Sequence, residues 1–271
     1  LPFDSGSDAA ARYRSLWRGL MRPKDRFGLA ALPGHAIFND HTILAHRTAA
    51  AALVGARLGG DRAALLHFHL GPVQGFIAAA RRTHDLALGS YLVAYLSYRA
   101  VQAIADDLGP DAVVYPDLAT LPLYELADLS RPERRKHALW ALRASLPNRF
   151  MAIVPERRAP ELAARAAQAA AQTWEAIAKG VRSYLEHLEP PEPLSPADGN
   201  RFDAQIRAHL EMDITVEPWP STPHEDPVYP QLFKTVRDNL TDQRRLITAL
   251  PPVGAEVPKC TQCGEREQIG D

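Results

Sequence analysis

The stretch "AALLHFHLGPVQGFIAAA", residues 63–80, constrains the fold more than any other part of the chain. From Ala64 the apolar residues follow a period of two. Leu66, Phe68 and Leu70 fall on one side of an extended strand and Leu65, His67 and His69 on the other. One face therefore asks for a core, while the other presents two imidazoles. The pattern stops at Gly71-Pro72 and changes period, because Val73, Phe76, Ile77 and Ala80 recur at helical spacing and Pro72 suits a first helical turn. A strand of this kind cannot stand alone, so the rest of the chain must supply partner strands and a helical layer.

Those partners can be read further along. A helix runs from about Gly89 through Leu92, Leu96, Ala100 and Ile104 to a stop at "LGPD", followed by the short strand "AVVYP" and, after a polar helical insertion, the strand "RFMAIVP". Residues 160–188 form a long alanine-rich helix whose apolar stripe is Leu162, Ala166, Trp174, Ile177, Val181 and Leu185. A short helix, "RFDAQIRAHLEM", leads into the strand "DITVEPW", and a further helix covers "QLFKTVRDNLTDQRRLITAL". Residues 1–60 are mostly helical in pattern. The order strand, helix, strand, strand, helix, strand predicts an α+β, ferredoxin-like (βαββαβ) domain over 61–220. Helices lie on one face of its four-stranded antiparallel sheet, and His67 and His69 look out from an open face. Residues 1–60 and 221–271 are expected as a helical N-terminal region and a helical linker with cysteines.

With 271 residues, 46% of them hydrophobic and a net charge of -1, the chain can bury a large core but generates no strong overall field. No apolar run is long enough to span a membrane and no signal peptide is visible, so a soluble cytoplasmic protein is expected. Cys260 and Cys263, in "KCTQCGERE", have the spacing of a metal knuckle but offer two thiolates where structural zinc takes four ligands. The missing second pair and a first residue that is Leu point to a piece of a longer protein.

Several residues are candidates for chemistry, each beside a plainer reading. His84-Asp85 tempts a catalytic assignment, but neighbouring side chains on a helix point about 100° apart and cannot build a metal site together; a structural or capping role for Asp85 fits better. His41 and His46 are five apart, which does not put two ligands squarely on one helical face, and His35 adds no third at such spacing. His67 and His69 share a strand face and suit a domain interface or a nucleotide. Gly71 and Gln74, at the strand-to-helix corner, suit a phosphate or a tight turn alone. Arg81 and Arg82 reach a phosphate or solvent, Ser90 caps a helix or touches a nucleotide, and Asn148-Arg149-Phe150 braces the sheet edge or faces a partner domain.

Taken together, "HLGPVQGFIAAARRTHDLALGSYLVAYLSYRAV", "FNDHTILAHRTAAAALVGA", "DAVVYPDL", "LPNRFMAIVP", "RFDAQIRAHLEMDITVEPWP" and "KCTQCGERE" resemble, in order, the first palm-like domain and its flanks in the large subunit of type III CRISPR effector complexes. They are most similar to the Cmr (type III-B) branch. The resemblance covers roughly 40–267. It implies an ATP pocket shared with a second palm, synthesis of cyclic oligoadenylates on target-RNA binding, and other Cmr-type subunits, CRISPR RNA and target RNA as partners. It also implies divalent metal with the ATP, and a structural zinc to which Cys260 and Cys263 would give two ligands. Gly71, Gln74, Arg81, Arg82, Ser90, His67 and His69 then become nucleotide-side candidates. The chain departs from the family pattern in lacking Gly-Gly-Asp-Asp, and His67 and His69 stand where a metal-binding palm carries Asp, so no catalytic residue is expected in it. The alternative is a ferredoxin-like RNA- or protein-binding scaffold without enzymatic activity.

Overall fold

The computed structural model describes residues 9–21, 32–34, 41–126, 143–187, 195–220, 228–247, 258–261 and 266–269. In chain order the elements are α1 (Ala9–Met21), α2 (Ile43–Arg57), β1 (Ala63–Gly71), α3 (Val73–Ala78), α4 (Thr83–Leu108), β2 (Val113–Tyr115), α5 (Pro122–Leu126), β3 (Arg149–Pro155), α6 (Ala159–Glu186), α7 (Pro196–Arg207), β4 (Glu211–Pro218) and α8 (Val228–Ile247). The predicted helical insertion lies mostly in 127–142, outside the described residues.

The four strands form one sheet in the order β2-β3-β1-β4. Each neighbouring pair is antiparallel, with Phe68 opposite Phe150 on β3 and Ile214 on β4. The chain is thus α+β, with a small antiparallel sheet, as the sequence pattern predicts. β1 is central and buried along its whole length. Its Leu66, Phe68 and Leu70 side packs with Phe150 and Val154 against Leu96, Ala100, Val101 and Ile104 of α4 and Leu162, Ala166 and Ala170 of α6. Phe68 and Phe150 stack with centroids 4.9 Å apart. The alanines of α6 that face α4 and the sheet are fully buried, and their small side chains let a 28-residue helix lie close to its neighbours.

The helix boundaries follow from local chemistry. Thr42 caps α2, its hydroxyl accepting from Ala45 N–H at 3.2 Å, and Ser195 caps α7 by accepting from Asp198 N–H at 3.2 Å. α4 stops at Gly109, whose φ of 101° a side chain would oppose. Tyr13 of α1 donates to Asp111 just beyond that stop, tying the first helix to the end of the fourth. α4 begins at Thr83, six residues ahead of the expected start, so Asp85 sits within its first turn next to the helix's positive end. The N-cap is Arg82, without a capping side chain.

The second sheet face differs from the expectation of an open one. Ala63, Leu65, Met151 and Ile153 are covered by Ala52 and Ala56 of α2 and by Leu232 and Val236 of α8. The alternating pattern of β1 identified which residues share this face. It carried no information on whether the flanking helices fold back over them.

Beyond the helix side, His209 in the turn before β4 lies against Phe76 and Trp174, at centroid distances of 4.9 and 5.9 Å. Burial and the neighbouring Arg266 charge push its pKa down from 6.5 to about 4.

Two outcomes test this packing. Phe68→Ala should lower unfolding free energy by about 3–5 kcal/mol in urea titrations, against less than about 0.5 kcal/mol for the exposed Val181→Ala. Because native His209 refuses a proton that the unfolded chain takes up below pH 6.5, its contribution makes the fold lose stability as pH falls from 6.5 toward about 4. His209→Phe should flatten that part of the stability profile, measured as urea midpoint against pH.

Candidate functional site

The second sheet face is apolar at one end and polar at the other. Moving along β1 from Leu65, the cross-strand rows become Met151, His67 and Thr215, then Arg149, His69 and Asp213. Tyr115 of β2 continues the first of these rows beyond Met151. The helix α8 covers Leu65 but leaves space over the polar rows. A cavity of about 600 Å3 remains there, lined by His67, His69, Tyr115, Asn148, Arg149 and, from α8, Phe233 and Arg237 among others.

Hydrogen bonding fixes the His69 imidazole. Asn148 Nδ2 donates to the carbonyl of Leu70 at 2.8 Å and to His69 Nε2 at 2.8 Å. Since an amide nitrogen only donates, His69 Nε2 is an acceptor and its hydrogen lies on Nδ1. That nitrogen faces Asp213 Oδ2 at 3.6 Å. His69 and Asp213 are 9% and 7% exposed, so the arrangement is screened little by solvent. Gly71 serves this geometry, because a Cβ there would come within 3.3 Å of the His69 ring. His67 is also buried, and the guanidinium groups of Arg149 and Arg237 add positive charge at the cavity, Arg237 with Asp238 3.6 Å away. The cavity can hold an anion by donors and charge and a flat ring against Tyr115 or Phe233.

The residues singled out in the sequence separate in space. His67 and His69 line this cavity and Gly71 lies beneath the His69 ring. Gln74 is exposed on α3, a helix of only six residues. Arg81 donates to the Thr261 carbonyl at 2.9 Å, and Arg82 is exposed at the start of α4. Ser90 donates to Leu86 O in its own helix at 2.9 Å. Asn148 braces the sheet edge. His84 reaches Asp85 at 2.9 Å on an exposed surface, and His41 and His46 face each other at 3.1 Å.

Cys260 lies on one arm of a hairpin in which its N–H donates to Arg266 O at 2.7 Å and Lys259 bridges Glu267. Cys263 is outside the described residues. Among the described residues there is no group of three or more metal-ligating side chains. Asp213, Thr215, Tyr115, Phe233 and Arg237 were not singled out in the sequence. The period-two pattern of "EMDITVEP" would have placed Asp213 and Thr215 on one face, but only the strand pairing shows that it is the face of His67 and His69.

Comparison with known proteins agrees with this fold and with the earlier resemblance. Residues 65–179 match the family model described as CRISPR-associated protein Cmr2, N-terminal. The matched segment holds most of β1, all of β2 and β3 and most of α6, the centre of the fold. The likeness is thus to the N-terminal part of a Cmr2-type protein, over less than half of this chain. The CRISPR system Cmr subunit Cmr2 of Pyrococcus furiosus is 32% identical over 157 residues, which cover 58% of this chain and 16% of that protein. A chain in the cryo-EM structure of the type III-B Cmr-beta bound to cognate target RNA superposes with a TM-score of 0.61 at 14% identity, over 98% of this chain and 33% of the other. Both relatives are thus much longer than the matched part. No helix among the described residues is long and apolar enough to cross a membrane.

Replacing Asn148 by Leu removes both donated bonds while keeping the side-chain volume. The expected cost is about 1–3 kcal/mol in urea midpoints, from the carbonyl and imidazole left without their donor. Imidazole 15N spectra should show His69 moving from a single Nδ1–H tautomer to a mixture.

Proposed function

We propose that this chain acts within a Cmr-type, RNA-guided effector complex, as the first palm of its large subunit. The strand order β2-β3-β1-β4 with both crossover helices on one side supports reading residues 61–220 as a ferredoxin-like palm. Residues 1–60 and 221–271 are then its helical flank and its linker with the cysteine hairpin. The partners in this reading are other Cmr-type subunits, CRISPR RNA and target RNA.

The palm is non-catalytic and forms one wall of an ATP pocket used for cyclic oligoadenylate synthesis. The observation that carries this is the polar end of the sheet face, where the buried His67 and the buried, oriented His69 lie beside Arg149 and Arg237. Imidazoles and guanidiniums bind phosphate oxygens without a metal. Carboxylates for divalent ions would come from a second palm, because β1 offers none on this face and Asp213 of β4 faces His69. Gln74 and Arg82, exposed at the following corner, are the remaining phosphate contacts. Arg81 and Ser90 are engaged elsewhere, the first with the hairpin and the second with its own helix.

In the assembled complex, the paired change Arg149→Met and Arg237→Met should reduce cyclic oligoadenylate output roughly tenfold, the effect of about 1.4 kcal/mol in binding. Assembly by size-exclusion chromatography should be unaffected, and His84→Ala should leave output as it is. Normal output from the paired variant would reduce the cavity to packing and favour a scaffold without nucleotide.

The cysteine hairpin is read as half of a structural zinc site, with Cys260 and Cys263 as two of four thiolates. When bound, zinc would clamp two hairpins together. The described arm fits, since the Cys260 N–H bond and the Lys259–Glu267 bridge hold that cysteine at the base of a turn. Elemental analysis of the protein purified within its assembled complex should find zinc that is lost in Cys260→Ser. Equal zinc in both proteins would exclude the hairpin as a ligand source.

A further inference from the structure

The corner between β1 and α4 is apolar and yet unburied. From Pro72 to Leu88 no residue is buried: Val73, Phe76 and Ile77 are half-buried, and Leu86 and Leu88 are 42% and 56% exposed. Burial along α4 begins at Gly89. Beside this stretch lies a cavity of about 480 Å3, sharing no lining residue with the one beside His67. Its walls are Leu88 and Leu92 of α4, Phe202 and Ile206 of α7, and the rings of Phe76 and Trp174. Those two rings meet edge-on at 6.2 Å, and His209 lies against both. Large apolar side chains gain by leaving water for a slot lined in this way.

The charge around this slot has one dominant sign. Arg82 is exposed at the start of α4, and Arg266 is exposed on the hairpin that carries Cys260; neither is paired with a carboxylate among the described residues. Arg266 Nη2 meets His209 Nδ1, and because arginine only donates, His209 accepts there and carries its hydrogen on Nε2. A neutral imidazole leaves the guanidinium charge in place. The hairpin itself is held down by Arg81, which donates to Thr261 O at 2.9 Å, and by Gln205, which donates to Glu267 O at 3.0 Å. Against these cations the lining includes one carboxylate, Asp85, which His84 approaches at 2.9 Å.

An apolar slot with a cationic rim is complementary to an acidic, amphipathic stretch of polypeptide. We propose that this surface docks such a segment of a partner protein, its large apolar side chains in the slot against Leu88, Phe76 and Trp174 and its carboxylates at Arg82 and Arg266. A second copy of the chain fits worse, because a twofold contact through this patch brings the same cationic rim to both sides. A nucleic-acid strand also fits worse, since its phosphates gain nothing from apolar walls and meet Asp85. The surface needs no nucleotide, and it rests on the reading above only in taking its partner from the same multi-subunit complex.

The test reconstitutes the Cmr-type complex from separate subunits and reads amide hydrogen exchange by mass spectrometry on the full chain, alone and assembled. The expected result is slower exchange over 73–92 and 266–269 on assembly, and an affinity for the other subunits that falls as salt rises. Leu88→Glu and Arg82→Glu should each weaken association roughly tenfold. Their urea midpoints should match the parent chain, because both side chains are exposed. Val181→Glu, at an exposed apolar position of α6 outside the slot, should bind normally. Normal binding by both slot variants would overturn the proposal. Protection lost on RNase digestion, while the protein subunits stay together, would overturn it in favour of nucleic acid. Dimers of the chain alone that Leu88→Glu abolishes would overturn it in favour of a second copy. A chain that enters the complex unprotected at this corner refutes this surface alone, whereas one that stays out refutes the reading above with it.

Discussion

The central position of β1 decides most of what surrounds it. A strand hydrogen-bonded on both edges and buried on both faces has no side exposed to water, so every side chain on it must be matched by a neighbour. On the helix side the match is apolar and continuous, from Ala64 to Leu70. On the other side Leu65 is matched by α2 and α8, whereas His67 and His69 lie in register with Thr215 and Asp213 of β4, and His69 meets Asn148 and Asp213. A register slip of one residue would drive the imidazoles into the α4–α6 core and put Phe68 on the polar face. Burial and register therefore fix the site together.

Within that frame the geometry of the polar end follows from hydrogen-bond bookkeeping. Asn148 satisfies a strand-end carbonyl and sets the tautomer of His69 at the same time, and Gly71 leaves room for the ring. His69 is thus a positioned group held between an amide and a carboxylate, and His67, Arg149 and Arg237 line the cavity beside it. The helix side shows a related device, since Arg266 fixes the tautomer of His209, and burial together with the Arg266 charge keeps it neutral. In both places a buried imidazole is defined by a donor that cannot act as an acceptor.

Much of this was legible in the sequence. The two faces of β1, the corner at Gly71-Pro72, the strands at 113–115, 149–155 and 211–218 and the long helix of residues 159–186 all follow from periodicity and from Gly and Pro signals. The coverage of the second sheet face was not legible, because an amphipathic helix such as α8 does not say which apolar surface it will meet. Arg81 shows the same limit, since its spacing after the corner suggested a phosphate while its observed partner is a carbonyl 180 residues later in the chain. Asp213 could be seen as a strand residue, but its place beside His69 depends on a pairing across 144 positions that local pattern cannot encode. Cys260 and Cys263 were legible as a pair, and the hairpin around Cys260 adds the arm that holds the first of them.

The central proposal is that the polar end of the β1 face, below α8, is a nucleotide-binding surface. The most direct measurement is a cryo-EM reconstruction of the assembled, target-bound complex with a non-hydrolysable ATP analogue. The account predicts phosphate density within hydrogen-bonding distance of Arg149 or His67, with α8 still packed over Leu65. Nucleotide density away from these residues, or α8 side chains filling the space above His67 and His69, would contradict it.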